Sequence, residues 1–170
     1  EHIIVDGGST DNTVKIIQSY NNNKIRFISE KDKGSNDAIN KGILMATGDV
    51  VCFLCSDDFY ATNKALEKVI KCFNDYEVDS CYSDIVYVER QDINSMRRYW
   101  KSSDFIPGSY LKGWSAPFTS FYVKRKSILQ SGLLNLVYAG DFELTFRLLE
   151  IDKIKTKYIP ELLVKMRHGG

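Results

Sequence analysis

The chain has 170 residues, of which 44% are hydrophobic and 26% charged, which fits one globular domain with a sizeable core. Its 23 basic and 22 acidic side chains leave a formal net charge of +1, so the composition offers no electrostatic basis for a nucleic-acid partner. The longest apolar run, Val50–Cys55, is far shorter than the ~20 residues that a transmembrane helix needs.

Strands and helices alternate in the first part of the chain. Strands are predicted over 2–5, 25–28 and 50–55, and helices over 13–20, 36–46 and 65–73. This order predicts a parallel α/β sheet with right-handed crossovers, in which the unbroken apolar run 50–55 is a fully buried strand. The chain opens inside a predicted strand, so we expect that an N-terminal strand and helix of the domain are missing.

The pattern changes after residue 75. A strand over 80–89 is followed by a hairpin partner near 98–101, an irregular stretch rich in Gly, Pro and Ser, and short elements at 121–123 and 127–131. A helix is predicted over 142–150, and the last strand, 155–164, contains Pro160 and is therefore expected near a sheet edge. We see no linker or repeat, which indicates one domain over 1–170.

Two carboxylate-bearing loops follow predicted strands. In an open parallel sheet, ligands bind beyond the carboxyl ends of the strands, so both loops are expected at one rim. Adjacent carboxylates such as Asp57 and Asp58 repel each other, and a hard divalent cation removes that conflict. The alternative is that the pair caps the next helix or faces water. The other loop, Asp6–Ser9, has glycines that allow close approach to a ligand, although it also fits an ordinary tight turn.

A third carboxylate, Asp141, stands at the start of a predicted helix. A carboxylate at the mouth of a site can act as a general base, and the alternative is a plain N-cap.

Cys52 and Cys55 form a C-x-x-C, but no second pair with metal spacing follows. Free cysteines packed as small apolar residues indicate a reducing cytoplasm.

Seven segments, in this order, resemble the family-two glycosyltransferases with the GT-A fold. They are Val5–Asp11, Asp32–Gly34 with Asp37–Gly42, Ala46–Asp49, Phe53–Asp58, Ala116–Phe121, Gly132–Leu134 and Asp141–Arg147. Each segment is unspecific alone, but their order and spacing cover nearly the whole chain. Within this family, the chain resembles bacterial enzymes that build surface polysaccharides such as O-antigen.

The resemblance implies an α/β, GT-A-like single domain, with a mostly parallel sheet flanked by helices and a smaller mixed or antiparallel part. It implies a nucleotide-binding half at about 1–75 and an acceptor-side half at about 76–170. The implied reaction is metal-dependent transfer of a sugar, with inversion, from a nucleotide-diphosphate sugar to a saccharide or lipid-linked saccharide acceptor. The implied cofactor is Mg²⁺ or Mn²⁺, and the implied location is the cytoplasm, with peripheral association of the full-length protein at the inner face of the cell membrane.

Site roles also follow from the resemblance. Asp6 is expected to contact the uracil or ribose of the donor, Asp57 with its neighbour Ser56 to lie at the ribose and diphosphate, and Asp58 to bind the metal. Asp141 is expected to take the proton from the acceptor hydroxyl. His168 lies where a residue of the family approaches the metal or diphosphate, and the alternative is an exposed terminal side chain.

The chain departs from the family pattern at three places. Gly7 stands where many members have a second Asp, Ala116 stands where relatives often have His, and the first strand of the family is absent. Two other functions therefore stay open. One is a truncated, non-catalytic nucleotide-sugar-binding module. The other is a sugar-nucleotide pyrophosphorylase, against which the Asp141 segment argues.

Overall fold

The computed structural model describes residues 1–137 and 139–169, and its strands and helices follow the predicted order closely. The strands are β1 (His2–Asp6), β2 (Ile25–Ser29), β3 (Val50–Cys52), β4 (Phe59–Tyr60), β5 (Ser80–Val88), β6 (Met96–Trp100), β7 (Phe121–Lys124) and β8 (Thr156–Arg167). The α-helices are α1 (Thr13–Ser19), α2 (Ser35–Met45), α3 (Ala65–Tyr76), α4 (Arg125–Ser131) and α5 (Gly140–Phe146). Short 3₁₀ turns cover Tyr110–Lys112 and Phe118–Ser120, and α5 continues into a π-helical turn, Arg147–Ile151.

The strands form two sheets. β1 and β2 pair in parallel, and the larger sheet has the order β3-β7-β5-β8-β4, with β6 paired to β5. In the larger sheet β5 and β8 are parallel, whereas the other pairings among the described residues are antiparallel. The α/β class with flanking helices is confirmed. The expected dominance of parallel pairing is wrong for the described strands, because β7 enters between β3 and β5 in the opposite direction.

The predicted buried strand 50–55 is wrong in two respects. β3 ends at Cys52, and Val50 and Leu54 are 36% and 41% exposed. β3 lies at the end of the larger sheet, where it pairs only with β7 among the described strands, so its apolar side chains are not covered on all sides.

β8 was expected near an edge because of Pro160, but it lies between β5 and β4. The register with β5 jumps from Ser83↔Ile159 to Asp84↔Leu162. Pro160 therefore lies in a bulge, where its missing N–H interrupts no ladder hydrogen bond. The bulge reconciles a proline with a central strand.

Two clusters of buried side chains pack around the larger sheet. One joins Ile43 of α2 to Phe121 of β7 and to Leu144 and Leu148 of the C-terminal helical segment. The other joins α3 to β5 and β8, with residues at helical spacing facing the sheet: Ala65, Val69 and Cys72. Burial of β5 by both clusters makes it the centre of the fold. No helix within the described residues is long and apolar enough to cross a membrane.

Candidate functional site

The turn between β3 and β4 forms one wall of a cleft of about 250 Å³. Because β4 pairs antiparallel with β8, this turn lies beside the end of β8, which supplies the facing wall. Arg167 of β8 donates a hydrogen bond to the carbonyl of Asp57, and its guanidinium lies 4.8 Å from the centre of the Phe59 ring. The cleft is lined by Cys55, Asp57, Asp58, Tyr87, Met166, Arg167, His168 and Gly169. We call it the carboxylate cleft.

Asp58 is the most perturbed carboxyl of this cleft. Its side chain is buried, with 8% of the residue exposed, and its Oδ2 has no hydrogen-bond partner among the described residues. Burial, followed by the charge of Asp57, raises the pKa of Asp58 from 3.8 to about 6. A buried carboxylate oxygen without a partner is costly, and a bound cation is one way to stabilise it.

The residues present fit a magnesium or manganese ion. Such an ion usually takes one or two carboxylates and fills its shell with water and substrate phosphates. Asp58, with Asp57 beside it, supplies such a donor set. The part of the chain that the structure describes contains no group of three or more His, Cys, Asp or Glu side chains suited to a metal. His168 lines the cleft but does not complete such a group, so its role as a ligand stays a prediction. Ser56 is exposed and is not among the lining residues.

Asp6 has a local structural role that the sequence did not predict. Its Oδ2 accepts hydrogen bonds from the N–H groups of Gly8 and Ser9 and from Ser29 Oγ, at 3.1, 2.9 and 2.6 Å. Its Oδ1 accepts from Ser9 Oγ at 2.5 Å. These donors, the Ser29 hydroxyl first, lower the pKa of Asp6 from 3.8 to about 2. Asp6 shapes the turn after β1 and does not line the carboxylate cleft, so its nucleotide contact stays a prediction.

Asp141 lies in the first turn of α5, where Ala139 occupies the N-cap position. Its side chain is exposed, and no described residue donates a hydrogen bond to it. The pKa of the Cys55 thiol is raised first by burial and then by the charges of Asp58, Asp57 and Asp141. The fold therefore brings Asp141 close enough to Cys55 for its charge to act on that thiol, as the charges of Asp57 and Asp58 also do. In the chain, Asp141 follows Asp58 by 83 positions.

A buried amide of α2 holds the loop that precedes Asp141. Asn40 is 8% exposed; its Nδ2 donates to the Leu134 carbonyl and its Oδ1 accepts from the Leu134 N–H, both at 2.9 Å. Arg147 holds the start of the same loop, because its guanidinium donates to the carbonyls of residues 131, 132 and 133 and pairs with Glu143. The Glu143–Arg147 spacing of four residues was a helical signal for this contact, whereas nothing local in the sequence indicates the partner of Asn40.

Gly140 shows how closely α2 and α5 approach. A Cβ at this position would lie 2.6 Å from Asn36 Nδ2 and 2.9 Å from the Asn135 carbonyl oxygen. Asn36 Nδ2 also donates to that carbonyl at 2.8 Å. No side chain fits here without displacing its neighbours, so the residue before Asp141 is held against α2.

Asp84 is a third buried carboxylate, after Asp6 and Asp58, and sequence reasoning missed it. It is 3% exposed and accepts hydrogen bonds from Tyr158 Oη at 2.6 Å, the Ser102 N–H at 2.8 Å and Tyr99 Oη at 2.9 Å. Its oxygens are therefore paired, in contrast to Asp58 Oδ2. Asp84 ties β5 to β8 and to the segment after β6, which indicates a structural role.

Comparison of this sequence with known proteins finds one matching family model and curated relatives that carry glycosyltransferase names. The family model described as glycosyl transferase family 2 matches residues 1–133. An uncharacterized glycosyltransferase of Nostoc sp. is 30% identical over 139 residues, which are 76% of this chain and 43% of the relative. A PGL/p-HBAD biosynthesis glycosyltransferase of Mycobacterium tuberculosis is 33% identical over 90 residues, 51% of this chain and 35% of the relative. The chain thus spans less than half the length of these curated relatives.

Two solved structures share the fold. S. aureus TarS 1-349 in complex with UDP-GlcNAc superposes with a TM-score of 0.71 at 15% identity, covering 99% of this chain and 49% of TarS 1-349. The mannosyltransferase PcManGT from Pyrobaculum calidifontis, in complex with GDP-Man and Mn²⁺, superposes with a TM-score of 0.66 at 16% identity, covering 95% and 46%.

Proposed function

Because the chain belongs to glycosyl transferase family 2, we propose that the protein transfers a sugar from a nucleotide-diphosphate sugar to an acceptor hydroxyl, with inversion. One observation carries this proposal. The buried Oδ2 of Asp58, which has no hydrogen-bond partner within residues 1–137 and 139–169, lies in one cleft with Asp57 and Cys55, and the charge of Asp141 contributes to the raised pKa of the Cys55 thiol. Asp141 does not line this cleft, so the arrangement offers a cation position inside the cleft and a separate carboxylate near it.

The carboxylate cleft is proposed as the donor end of the site. Asp58, with Asp57 beside it, would hold a divalent cation, Mg²⁺ or Mn²⁺. When bound, that ion supplies Lewis-acid stabilisation of the diphosphate leaving group. The remaining proposed contacts are Asp6 at the uracil or ribose, Ser56 and Asp57 at the ribose and diphosphate, and His168 at the metal or diphosphate.

Asp141 is proposed as the general base. Its carboxylate would accept the proton of the acceptor hydroxyl while that oxygen attacks the anomeric carbon of the donor sugar. The bond from this carbon to the diphosphate oxygen breaks in the same displacement, which inverts the configuration. The contacts of Asn40, Arg147 and Gly140 support the proposal, because they fix the loop before Asp141.

The nucleotide and the acceptor are proposed by class. The solved neighbours contain UDP-GlcNAc and GDP-Man, which supports a UDP-sugar or GDP-sugar donor here. Relatives named for PGL/p-HBAD biosynthesis and as chondroitin synthase support a saccharide or lipid-linked saccharide acceptor and a role in cell-surface polysaccharide synthesis. We propose that the protein works in the cytoplasm, with peripheral association at the inner face of the cell membrane.

The test compares the protein with two variants in Mn²⁺-dependent UDP or GDP binding and in release of the sugar from UDP-GlcNAc and GDP-mannose. Asp141→Asn is expected to bind nucleotide with unchanged affinity and to lose turnover by ~10²-fold or more, because only the base is removed. Asp58→Asn is expected to lose the Mn²⁺-dependent part of binding. Turnover that survives Asp141→Asn would contradict the role of Asp141, and absence of Mn²⁺-dependent binding would contradict the donor site. Binding without turnover in the wild-type protein would favour the non-catalytic module.

A further inference from the structure

A second cleft, of about 630 Å³, opens along the β5–β6 hairpin beside the carboxylate cleft. Its lining consists of Tyr87, Glu89, Arg97, Arg98 and His168. Tyr87 and His168 line both clefts, so the two spaces adjoin at these residues. Sites for small molecules usually measure ~300–1,000 Å³. The second cleft, which we call the Arg98 cleft, is therefore large enough for a ligand of its own.

Arg98 gives this cleft its chemistry. The antiparallel register places Arg98 opposite Tyr87, and its guanidinium carbon lies 5.8 Å from the ring centres of both Tyr87 and Trp100. Within residues 1–137 and 139–169, Arg98 forms no ion pair. Stacking on rings orients the planar guanidinium and leaves its N–H donors free for an anion.

The charges of the lining favour an anionic ligand. Arg97 Nε donates to Glu89 Oε1 at 2.5 Å, so the carboxylate of the lining is paired with Arg97 and not with Arg98. The two arginines and the one glutamate of the lining leave an excess of one positive charge. The adjoining cleft has the opposite character, because its two carboxyl groups, Asp57 and Asp58, outnumber its one guanidinium, that of Arg167. A phosphate or carboxylate is therefore attracted to the Arg98 cleft and, in the absence of a cation, repelled by its neighbour.

We infer that the Arg98 cleft binds the acceptor through a negatively charged group, a phosphate or a carboxylate, which Arg98 recognises with paired N–H donors. Guanidinium groups bind both anions in a bidentate manner. An acceptor anchored there extends past Tyr87 and His168 towards the carboxylate cleft, where the donor is proposed to lie. The acceptor role rests on the proposed sugar transfer, whereas the binding of an anion at Arg98 does not.

The experiment measures binding without turnover. The ¹⁵N-labelled protein, with its donor site saturated by diamagnetic Mg²⁺ and UDP or GDP, is titrated separately with glucose 1-phosphate, glucuronate and glucose to ~20 mM, a concentration that detects millimolar Kd values. The chain has two tryptophans, so two indole N–H signals are followed. The Trp100 signal is expected to shift with at least one anionic probe and not with glucose. Trp114, which packs between Phe105 and Tyr110, serves as the internal control.

Arg98→Gln is expected to weaken binding of the anionic probe by ~10-fold or more, since charged hydrogen bonds are lost. Lys126→Gln, an exposed change on α4 outside the cleft, is expected to leave this binding unchanged.

A response to glucose 1-phosphate alone identifies the anionic group of the acceptor as a phosphate, and a response to glucuronate alone identifies it as a carboxylate. The inference is overturned if no probe shifts Trp100, if glucose acts equally, or if Arg98→Gln leaves binding intact. Loss of nucleotide binding in Arg98→Gln would also overturn it, by assigning Arg98 to the donor. If the protein binds the anion but transfers no sugar, the proposed function is refuted and the anion-binding site at Arg98 is still supported.

Discussion

Replacement of Asp58 by asparagine is expected to stabilise the metal-free protein at neutral pH and to remove its stabilisation by Mn²⁺. The pKa of Asp58 rises from 3.8 to about 6 on folding, so the folded chain holds a proton that the unfolded chain has released. Below pH 3.8 both states are protonated and the carboxyl group costs nothing. Between 3.8 and about 6 the free energy of unfolding falls as pH rises, and above about 6 the full penalty is present.

The magnitude follows from this shift. About two pH units at 1.36 kcal/mol each give ~3 kcal/mol, and water in the carboxylate cleft screens part of this penalty, which leaves ~2 kcal/mol. Asparagine has the same shape and no charge, so Asp58→Asn avoids the penalty. At about pH 7 in EDTA, the variant is therefore expected to be ~2 kcal/mol more stable, or ~4–8 °C higher in Tm for a domain of this size.

The assay is urea unfolding followed by circular dichroism between about pH 3.5 and 8, first in EDTA and then with Mn²⁺. The two proteins are expected to converge at the acid end. A saturating ion at ~100 times its Kd adds ~2.7 kcal/mol to the wild type, which offsets the penalty, and adds nothing to the variant. Asp152→Asn, an exposed change in the turn before β8, is the control and is expected to follow the wild type. Equal pH dependence of wild type and Asp58→Asn in EDTA would refute the reasoning.

Three further predictions concern the loops around the site. Asn40→Ala leaves the N–H and carbonyl of Leu134 unpaired and buried, so urea unfolding is expected to show that the free energy of unfolding falls by ~2–4 kcal/mol. The exposed change Asn23→Ala is expected to cause no loss, and equal stability of the two variants would contradict the buried contacts. Gly140→Ala places a Cβ 2.6 Å from Asn36 Nδ2 and is expected to cost ~1–3 kcal/mol and to lower turnover more than nucleotide binding. Gly42→Ala in α2, whose Cβ would lie 3.7 Å from Val5 Cγ2 of β1, is expected to stabilise by ~0.5–1 kcal/mol, and the opposite order of the two variants would show that the contact at Gly140 relaxes freely. Asp6→Asn removes a carboxylate whose pKa is lowered to about 2 in the folded protein. The wild type is therefore expected to be the more stable protein above pH 3.8 and to lose that advantage as pH falls towards 2. A difference in free energy of unfolding that stays constant through an acid titration would contradict this prediction.

Local patterns in the sequence predicted most elements of the fold. The 3.6-residue spacing of apolar side chains placed α3, and the alternation after residue 80 placed β5, each within a few residues of the observed bounds. The order of the seven segments indicated the family that the comparisons confirm. These properties are local or depend only on chain order, so they can be recognised without the tertiary structure.

Strand pairing and the environment of single side chains were decided by the tertiary structure. The bulge that accepts Pro160 in a central strand depends on how β8 meets β5, and the exposure of Val50 depends on the position of β3 at the end of the sheet. The contacts of Asn40 with Leu134, 94 residues away, depend on the packing of α2 against the loop before α5.

For the carboxyl groups, too, the sequence determined some properties and the tertiary structure determined others. The sequence by itself determined that Asp57 and Asp58 adjoin each other, and that a third carboxyl group follows at Asp141. Only the tertiary structure decided that Asp58 Oδ2 is buried with no partner in the described part of the chain, that Asp6 accepts hydrogen bonds from four donors, and that the charge of Asp141 reaches Cys55. The physical reason is that the pKa and chemistry of a carboxyl group depend on burial and nearby charges, which segments distant in the chain supply when it folds.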